Sequence, residues 1–228
     1  MSETVTDLLR GAAPRALKTR VFRAARGAIA RGLLAREAAM PRTDLEARHL
    51  EGARLLPDRQ ALLAALPAGG RVAEIGVAAG DFSADILRLA RPERLVLVDA
   101  WHSERYGDPL MEGVRARFAE ELAAGRVEIR RGLSTEVCPR LENGAFDWVY
   151  LDTDHSYETT RRELEILADK VRPEGWICGH DYVSGYWPHL LRYGVVEAVH
   201  EFCARHGWRI ACLTVEQRVT PSFALRRI

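Results

Sequence analysis

Lysine is almost missing from these 228 residues. Lys18 and Lys170 are the only two, so arginine supplies 31 of the 33 basic side chains. Codon bias in a GC-rich genome is the preferred reading of the imbalance, and a lysine general base has almost no candidates. No apolar run approaches the ~18 residues that read as a membrane span. The N-terminus has no compact apolar signal core, so export is not expected and a cytoplasmic location is. Cysteine is sparse: Cys138, Cys178, Cys203 and Cys212 lack C-x-x-C spacing. That excludes a disulfide frame or a paired-cysteine zinc site and suggests buried, reduced thiols. Net charge is only +1, which argues against a general nucleic-acid binder. With 47% apolar and 29% charged residues, the chain reads as an ordinary globular protein and not a disordered one.

The charge is unevenly divided. Residues 1–55 hold 11 basic and 6 acidic side chains, leaving a net −4 on the rest. In the basic part, Leu17, Val21, Ala25, Ile29 and Leu33 recur at helical spacing among arginines. This reads as a basic amphipathic helix ended by Met40–Pro41. It suits a packing or dimer element, a lid, or an element lying on an anionic membrane. Packing or lid is preferred, because a charged face is usually just solvated. Residues 1–56 are thus expected to form a helical extension and residues 57–228 the main domain. A homo-oligomer formed through the N-terminal helices is an open alternative.

From Arg71 onward short apolar strands alternate with longer helices. Strands are expected at 71–76, 94–99, 126–131, 146–152, 175–180, 209–213 and 222–227. Helices are expected at 81–89, 109–124, 135–141, 157–171 and 193–206. Strand–helix alternation implies a doubly wound, Rossmann-like α/β fold. The last two strands have no helix between them, so the seven-stranded, mostly parallel sheet ends in an antiparallel strand.

The first strand runs into Glu74-x-Gly76-x-x-x-Gly80, and a helix follows at once. Glycines there let the backbone turn tightly and approach a ligand, and the helix N-terminus offers free N–H groups. Asp99 closes the second strand, where a carboxylate can take the ribose hydroxyls of a nucleotide cofactor. A dinucleotide fingerprint needs G-x-G-x-x-G, and Asp81 would repel a pyrophosphate. A nucleoside without phosphates fits better. The run resembles motif I of the class I S-adenosylmethionine-dependent methyltransferases. That resemblance implies that Glu74 supports the methionine end and that Gly76 and Gly80 pass under the cofactor. It also implies that Asp99, Ala100 and Trp101 meet adenosine, that Ser134 lies by adenine, and that Asp152 borders the cofactor.

A second signal is Asp152-Thr-Asp154-His155-Ser-Tyr157-Glu158 at the end of the fourth strand; His180-Asp181 ends the fifth. Carboxylates and imidazoles converging at one rim cannot all stay unpaired without cost. A divalent cation would resolve the repulsion. The pattern resembles the metal-dependent O-methyltransferases that act on macrolide and aminocoumarin sugars, grouped with cephalosporin-hydroxylase-like proteins. Catechol O-methyltransferase is more distant. The resemblance implies metal ligands Asp152, His180 and Asp181, and a general base at Asp154, with His155 at the alternative base position. Where the sugar enzymes have two acids this chain has His180-Asp181, so Mg²⁺ is expected with Mn²⁺, Fe²⁺ or Zn²⁺ open. As plain structure, Asp154 or His155 would cap the following helix, Tyr157 and Glu158 would pack or charge its first turn, and Cys178 would lie in the core.

The expected activity is therefore S-adenosylmethionine-dependent O-methylation of a small-molecule hydroxyl, a sugar or phenol of a secondary metabolite. Neither nucleic acid nor membrane is expected as a partner. Candidate acceptor walls are His102, Tyr106, Tyr182, Tyr186, Trp187 and His189. Two alternatives stand beside it. One is a metal-independent methyltransferase with a histidine base. The other is a non-catalytic cofactor-binding module docking a partner or membrane through its basic helix.

Overall fold

The computed structural model describes residues 15–104, 106–186 and 190–228. Trp187, His189 and the first 14 residues of the expected extension lie outside the described residues. The chain divides into two units, one ending at Met40 and the other spanning Pro41–Ile228. Of the first, a single helix α1 (Arg15–Ala39) is described. No helix among the described residues is long and apolar enough to cross a membrane.

In the second unit, strand β1 (Arg54–Leu56) is followed by helix α2 (Arg59–Ala65), capped by Asp58, whose Oδ1 accepts from the Ala61 N–H at 2.7 Å. The main alternation then runs β2 (Arg71–Ile75), α3 (Asp81–Leu89), β3 (Arg94–Asp99), α4 (Asp108–Arg117), α5 (Ala119–Ala123), β4 (Val127–Arg131) and α6 (Ser134–Val137). It continues with β5 (Phe146–Leu151), α7 (Tyr157–Lys170) and β6 (Val171–Gly179). A small hairpin of β7 (Gly185–Tyr186) and β8 (Leu191–Arg192) precedes α8 (Val195–His206), β9 (Trp208–Thr214) and β10 (Phe223–Arg227).

The sheet order is β1-β9-β10-β6-β5-β2-β3-β4. Strand β10 runs antiparallel to both β6 and β9, and every other pairing is parallel. The doubly wound, mostly parallel sheet is as expected, with three differences. Strand β1 adds an eighth strand at the edge of β9, so the sheet begins before residue 57 and the compact unit begins at Pro41. Two of its three residues are exposed, and so short a strand leaves no alternation to read. The single helix expected at 109–124 is two helices. Phe118 leaves helical geometry (φ −110, ψ 28), and its buried ring packs beneath Gly80. The hairpin of β7 and β8 was not anticipated.

Alternation along each strand divides the core between the two faces of the sheet. Ala73, Ile75, Val149 and Leu151 pack with Leu164, Leu167 and Phe202 on one side. Val72, Trp148 and Tyr150 pack with Leu62, Leu63 and Ile86 on the other. The four cysteines are free and buried. The chain leaves β2 toward β3 on one side and returns through β5 on the other. A crevice therefore opens at the carboxyl ends of these strands, where doubly wound sheets bind ligands.

Candidate active site

A cavity of about 960 Å³ occupies that crevice. It crosses four strand ends in sheet order: Asp152 after β5, Glu74 and Gly76 at β2, Asp99 at β3, and Leu133–Thr135 after β4. Six non-glycine residues among those described have positive φ, and four of them sit on these loops or on the loop after β6: Ala78, Trp101, His155 and Asp181. Non-glycine residues are uncommon in that region and tend to cluster at binding sites.

The glycine loop is held from below. Gly76 has φ +92, and a Cβ there would overlap the Asp152 carbonyl. Gly80 has φ +78 and opens α3. Asp99 Oδ2 accepts from the Val77 and Ala78 N–H groups at 2.8 and 2.9 Å, and Oδ1 accepts from Trp101 N–H at 2.8 Å. An ionised carboxylate has about four acceptor positions, so Asp99 can hold the loop and still take a ribose hydroxyl. Glu74 is 2% exposed and accepts from Ser83 Oγ. Burial pushes its carboxyl up to about 8, with Ser83 opposing the shift.

Of the eight expected cofactor residues, Glu74, Gly76, Asp99, Ala100, Ser134 and Asp152 line the cavity. Gly80 and Trp101 do not. Gly80 faces Phe118, whose ring would lie 3.0 Å from an added Cβ. Trp101 is 1% exposed, and its indole N–H donates to the Ala78 carbonyl at 3.0 Å. Both residues brace the loop. Their spacing marks the motif without distinguishing a ligand contact from a prop.

The residues that come together at the rim are grouped differently from the expected ligand set. Asp152, His155 and Asp181 each offer one atom within 4.8 Å of the others. His155 Nε2 lies 2.6 Å from Asp181 Oδ2 and 3.2 Å from Asp152 Oδ1. His180, expected in the first rank, stands slightly back, with Nδ1 3.6 Å from Asp152 and 3.4 Å from Asp181. His155 was expected as a base. Its left-handed backbone (φ +63) turns its ring between the two carboxylates, where Tyr193 stacks on it at 4.7 Å. Burial would lower the His155 pKa, but the bonds to Asp152 and Asp181 outweigh it and push it up to about 10. Burial would raise Asp181, but hydrogen bonds from His155 and His180 hold its carboxyl well below the usual range. Two carboxylates and an imidazole this close fit a divalent cation whose ligands include nitrogen.

Asp154 lines the cavity and also serves the start of α7. Its Oδ1 accepts from Ser156 N–H and its Oδ2 from Thr159 Oγ1, both at 2.9 Å. The N-cap is Ser156, which accepts from the Thr159 N–H at 3.2 Å. Of the expected acceptor walls, His102 and Tyr106 line the cavity. Tyr182 instead packs with His200, 2.6 Å from its hydroxyl, and Tyr186 lies on the hairpin.

Sequence reading missed Arg59, Tyr193 and Glu163. Arg59 and Tyr193 line the cavity. Glu163 is 1% exposed and accepts from Ser134 Oγ and from Thr153 Oγ1 (2.9 Å), tying the loops after β4 and β5 together. It shares a helix face with the buried Thr160 and Leu167, and a carboxylate at a core position was the signal available.

Residues 73–182 match the model of a family described as a methyltransferase domain. No curated protein matches the chain. Among solved structures, a SAM-dependent methyltransferase from Aquifex aeolicus superimposes with a TM-score of 0.56 at 15% identity, over 79% of this chain and 93% of that one. The pyocyanin biosynthetic protein PhzM gives 0.54 at 16% identity, over 71% of this chain; the match spans about half (51%) of PhzM. A Streptococcus mutans protein in complex with SAH gives 0.52 at 13% identity, over 73% and 93%. At these identities the structures establish the fold. The domain match, the sheet order and the glycine loop together support an S-adenosylmethionine-dependent methyltransferase domain in this chain.

Proposed function

We propose that the chain carries out metal-dependent O-methylation of a small-molecule hydroxyl, on a sugar or phenol of a secondary metabolite, in the cytoplasm. The observation that carries this reading is the approach of Asp152, His155 and Asp181 to within 4.8 Å, with Asp152 and His155 on the cavity wall. These three, with His180 beside them, would hold the ion. A bound divalent cation supplies Lewis acidity, which orients a hydroxyl and lowers its pKa.

The chain's own residues supply the rest. Gly76 and the loop braced by Asp99 bring bare backbone to the cofactor. Asp154 takes the hydroxyl proton at a carboxylate oxygen, and the Ser156 and Thr159 hydrogen bonds fix its orientation. His102, Tyr106 and Tyr193 present ring faces and polar tips to the acceptor, as a sugar or phenol requires.

The test is calorimetric titration of Mg²⁺, then Mn²⁺, into metal-stripped protein saturated with S-adenosylhomocysteine. One-site binding, lost in Asp152→Ala while S-adenosylhomocysteine still binds, supports the reading. The 2.6 Å His155–Asp181 ion pair, which puts a cationic ring where a metal would sit, also favours a second reading, a methyltransferase without metal and with His180 as the base. Cofactor binding with no metal binding, confirmed by equilibrium dialysis, would select it.

A further inference from the structure

Two cavity arginines, Arg59 and Arg162, close no ion pair among the described residues; Arg162 stands on α7 beside Glu158 and Thr159, and Arg59 is the one next to the end of β2. Arg59, the first residue of α2, lines the cavity beside Glu74 and Phe82. Its guanidinium carbon stands 4.8 Å from the centroid of the Phe82 ring. Among the described residues it closes no salt bridge, and it acts on Glu74 and Asp85 only as a nearby charge. Phe82 supplies a π face but no acceptor, so the guanidinium is positioned while its donors stay free.

The order of the strands says which part of the cofactor comes here. With ribose at Asp99 on β3 and the base beside Leu133–Thr135 after β4, the remaining end of an elongated nucleoside points back over β2. That end of S-adenosylmethionine is an amino acid, carrying one ammonium and one carboxylate. Glu74, buried at the end of β2, is the carboxyl placed to meet the ammonium, whose approach would favour its ionised form. A carboxylate needs a cation, and a guanidinium offers it paired donors in matching geometry.

We infer that Arg59 binds the carboxylate of the cofactor's amino-acid tail. The assignment rests on the reading of this cavity as the S-adenosylmethionine site. It makes Arg59 a specificity determinant for the intact cofactor over nucleosides that lack the acid, such as decarboxylated S-adenosylmethionine.

The test compares two ligands by calorimetry on wild type and Arg59→Ala. One is S-adenosylhomocysteine; the other is its decarboxylated amine, which keeps adenosine, sulfur and ammonium. Loss of a charge-assisted pair predicts that Arg59→Ala binds S-adenosylhomocysteine roughly 10- to 100-fold more weakly. The amine should shift by less than about threefold, since ligand and protein changes remove the same interaction. Arg59→Gln, which keeps a stem over Phe82, serves if the alanine variant is unstable in urea. Unchanged S-adenosylhomocysteine affinity overturns the assignment. So does equal weakening of both ligands, which would make Arg59 a scaffold residue. Wild type binding neither ligand overturns the cofactor reading itself, and this assignment with it.

Discussion

Gly76 and Asp152 touch backbone to backbone: a Cβ on residue 76 would occupy the space of the Asp152 carbonyl oxygen. The contact joins the end of β2 to the end of β5, and the Asp152 N–H completes it by donating to the Ile75 carbonyl at 2.7 Å. Cofactor loop and candidate metal ligand are therefore set by one close approach.

Gly76→Ala meets two penalties, a left-handed φ and a clash with backbone that no rotamer relieves. We expect a loss of roughly 2–4 kcal/mol in urea unfolding, with S-adenosylhomocysteine affinity lost as the strand ends part. Gly69→Ala is the control. Its φ is +76 but nothing lies within 4 Å of an added Cβ, so only about 1 kcal/mol should be lost. Equal losses would mean that the close approach contributes nothing.

Asp99→Asn keeps the shape but replaces one acceptor oxygen by a donor NH₂ group. That group must face either the Val77 and Ala78 N–H groups or the Trp101 N–H. Stability should fall by about 1–3 kcal/mol. Because the ribose contact and the loop fail together, S-adenosylhomocysteine and its decarboxylated amine should weaken equally. That pattern is the opposite of the one expected for Arg59.

Asp154→Asn removes the proposed proton acceptor while retaining an oxygen for the start of α7. Turnover should fall roughly 10²- to 10⁴-fold with cofactor affinity nearly unchanged. Steady-state kinetics on an identified acceptor, with calorimetry alongside, makes the measurement. Wild-type kcat in this variant would limit Asp154 to its role at the helix start.

Glu163 gives a pH signature. Burial pushes its carboxyl up to about 7, with Ser134 and Thr153 opposing the shift. A carboxyl raised on folding binds its proton more tightly in the folded state. Its contribution is therefore fully present below the unfolded pKa near 4.5 and is lost as pH rises through about 7. Glu163→Gln should flatten the stability profile across that window by roughly 3 kcal/mol. Urea midpoints at pH 4.5, 6 and 8 would show it. An unaltered slope would mean that Glu163 does not titrate there.

The alternation of β and α segments, the antiparallel last strand, the glycine loop and the acidic strand ends were legible in the sequence. They depend on local rules: a period of two in buried strands, glycine where φ is positive, polar residues where a strand leaves the core. What the local rules left open was which place in the site each of two adjacent side chains takes. Asp154 and His155 both line the cavity, yet the left-handed backbone at His155 sends its ring between Asp152 and Asp181, while Asp154 faces the cavity from the start of α7. Gly80 and Trp101 look like ligand contacts but do not line the cavity, because Phe118 and the Ala78 carbonyl reach them from elsewhere in the chain. Arg59 had no motif at all; its place depends on how α2 packs beside α3, bringing it over Phe82. The sequence by itself determined the sheet, its turns and the chemical types gathered at its edge, since these follow from neighbouring residues. The tertiary structure alone decided which of those groups face one another, because that depends on packing between segments far apart in the chain.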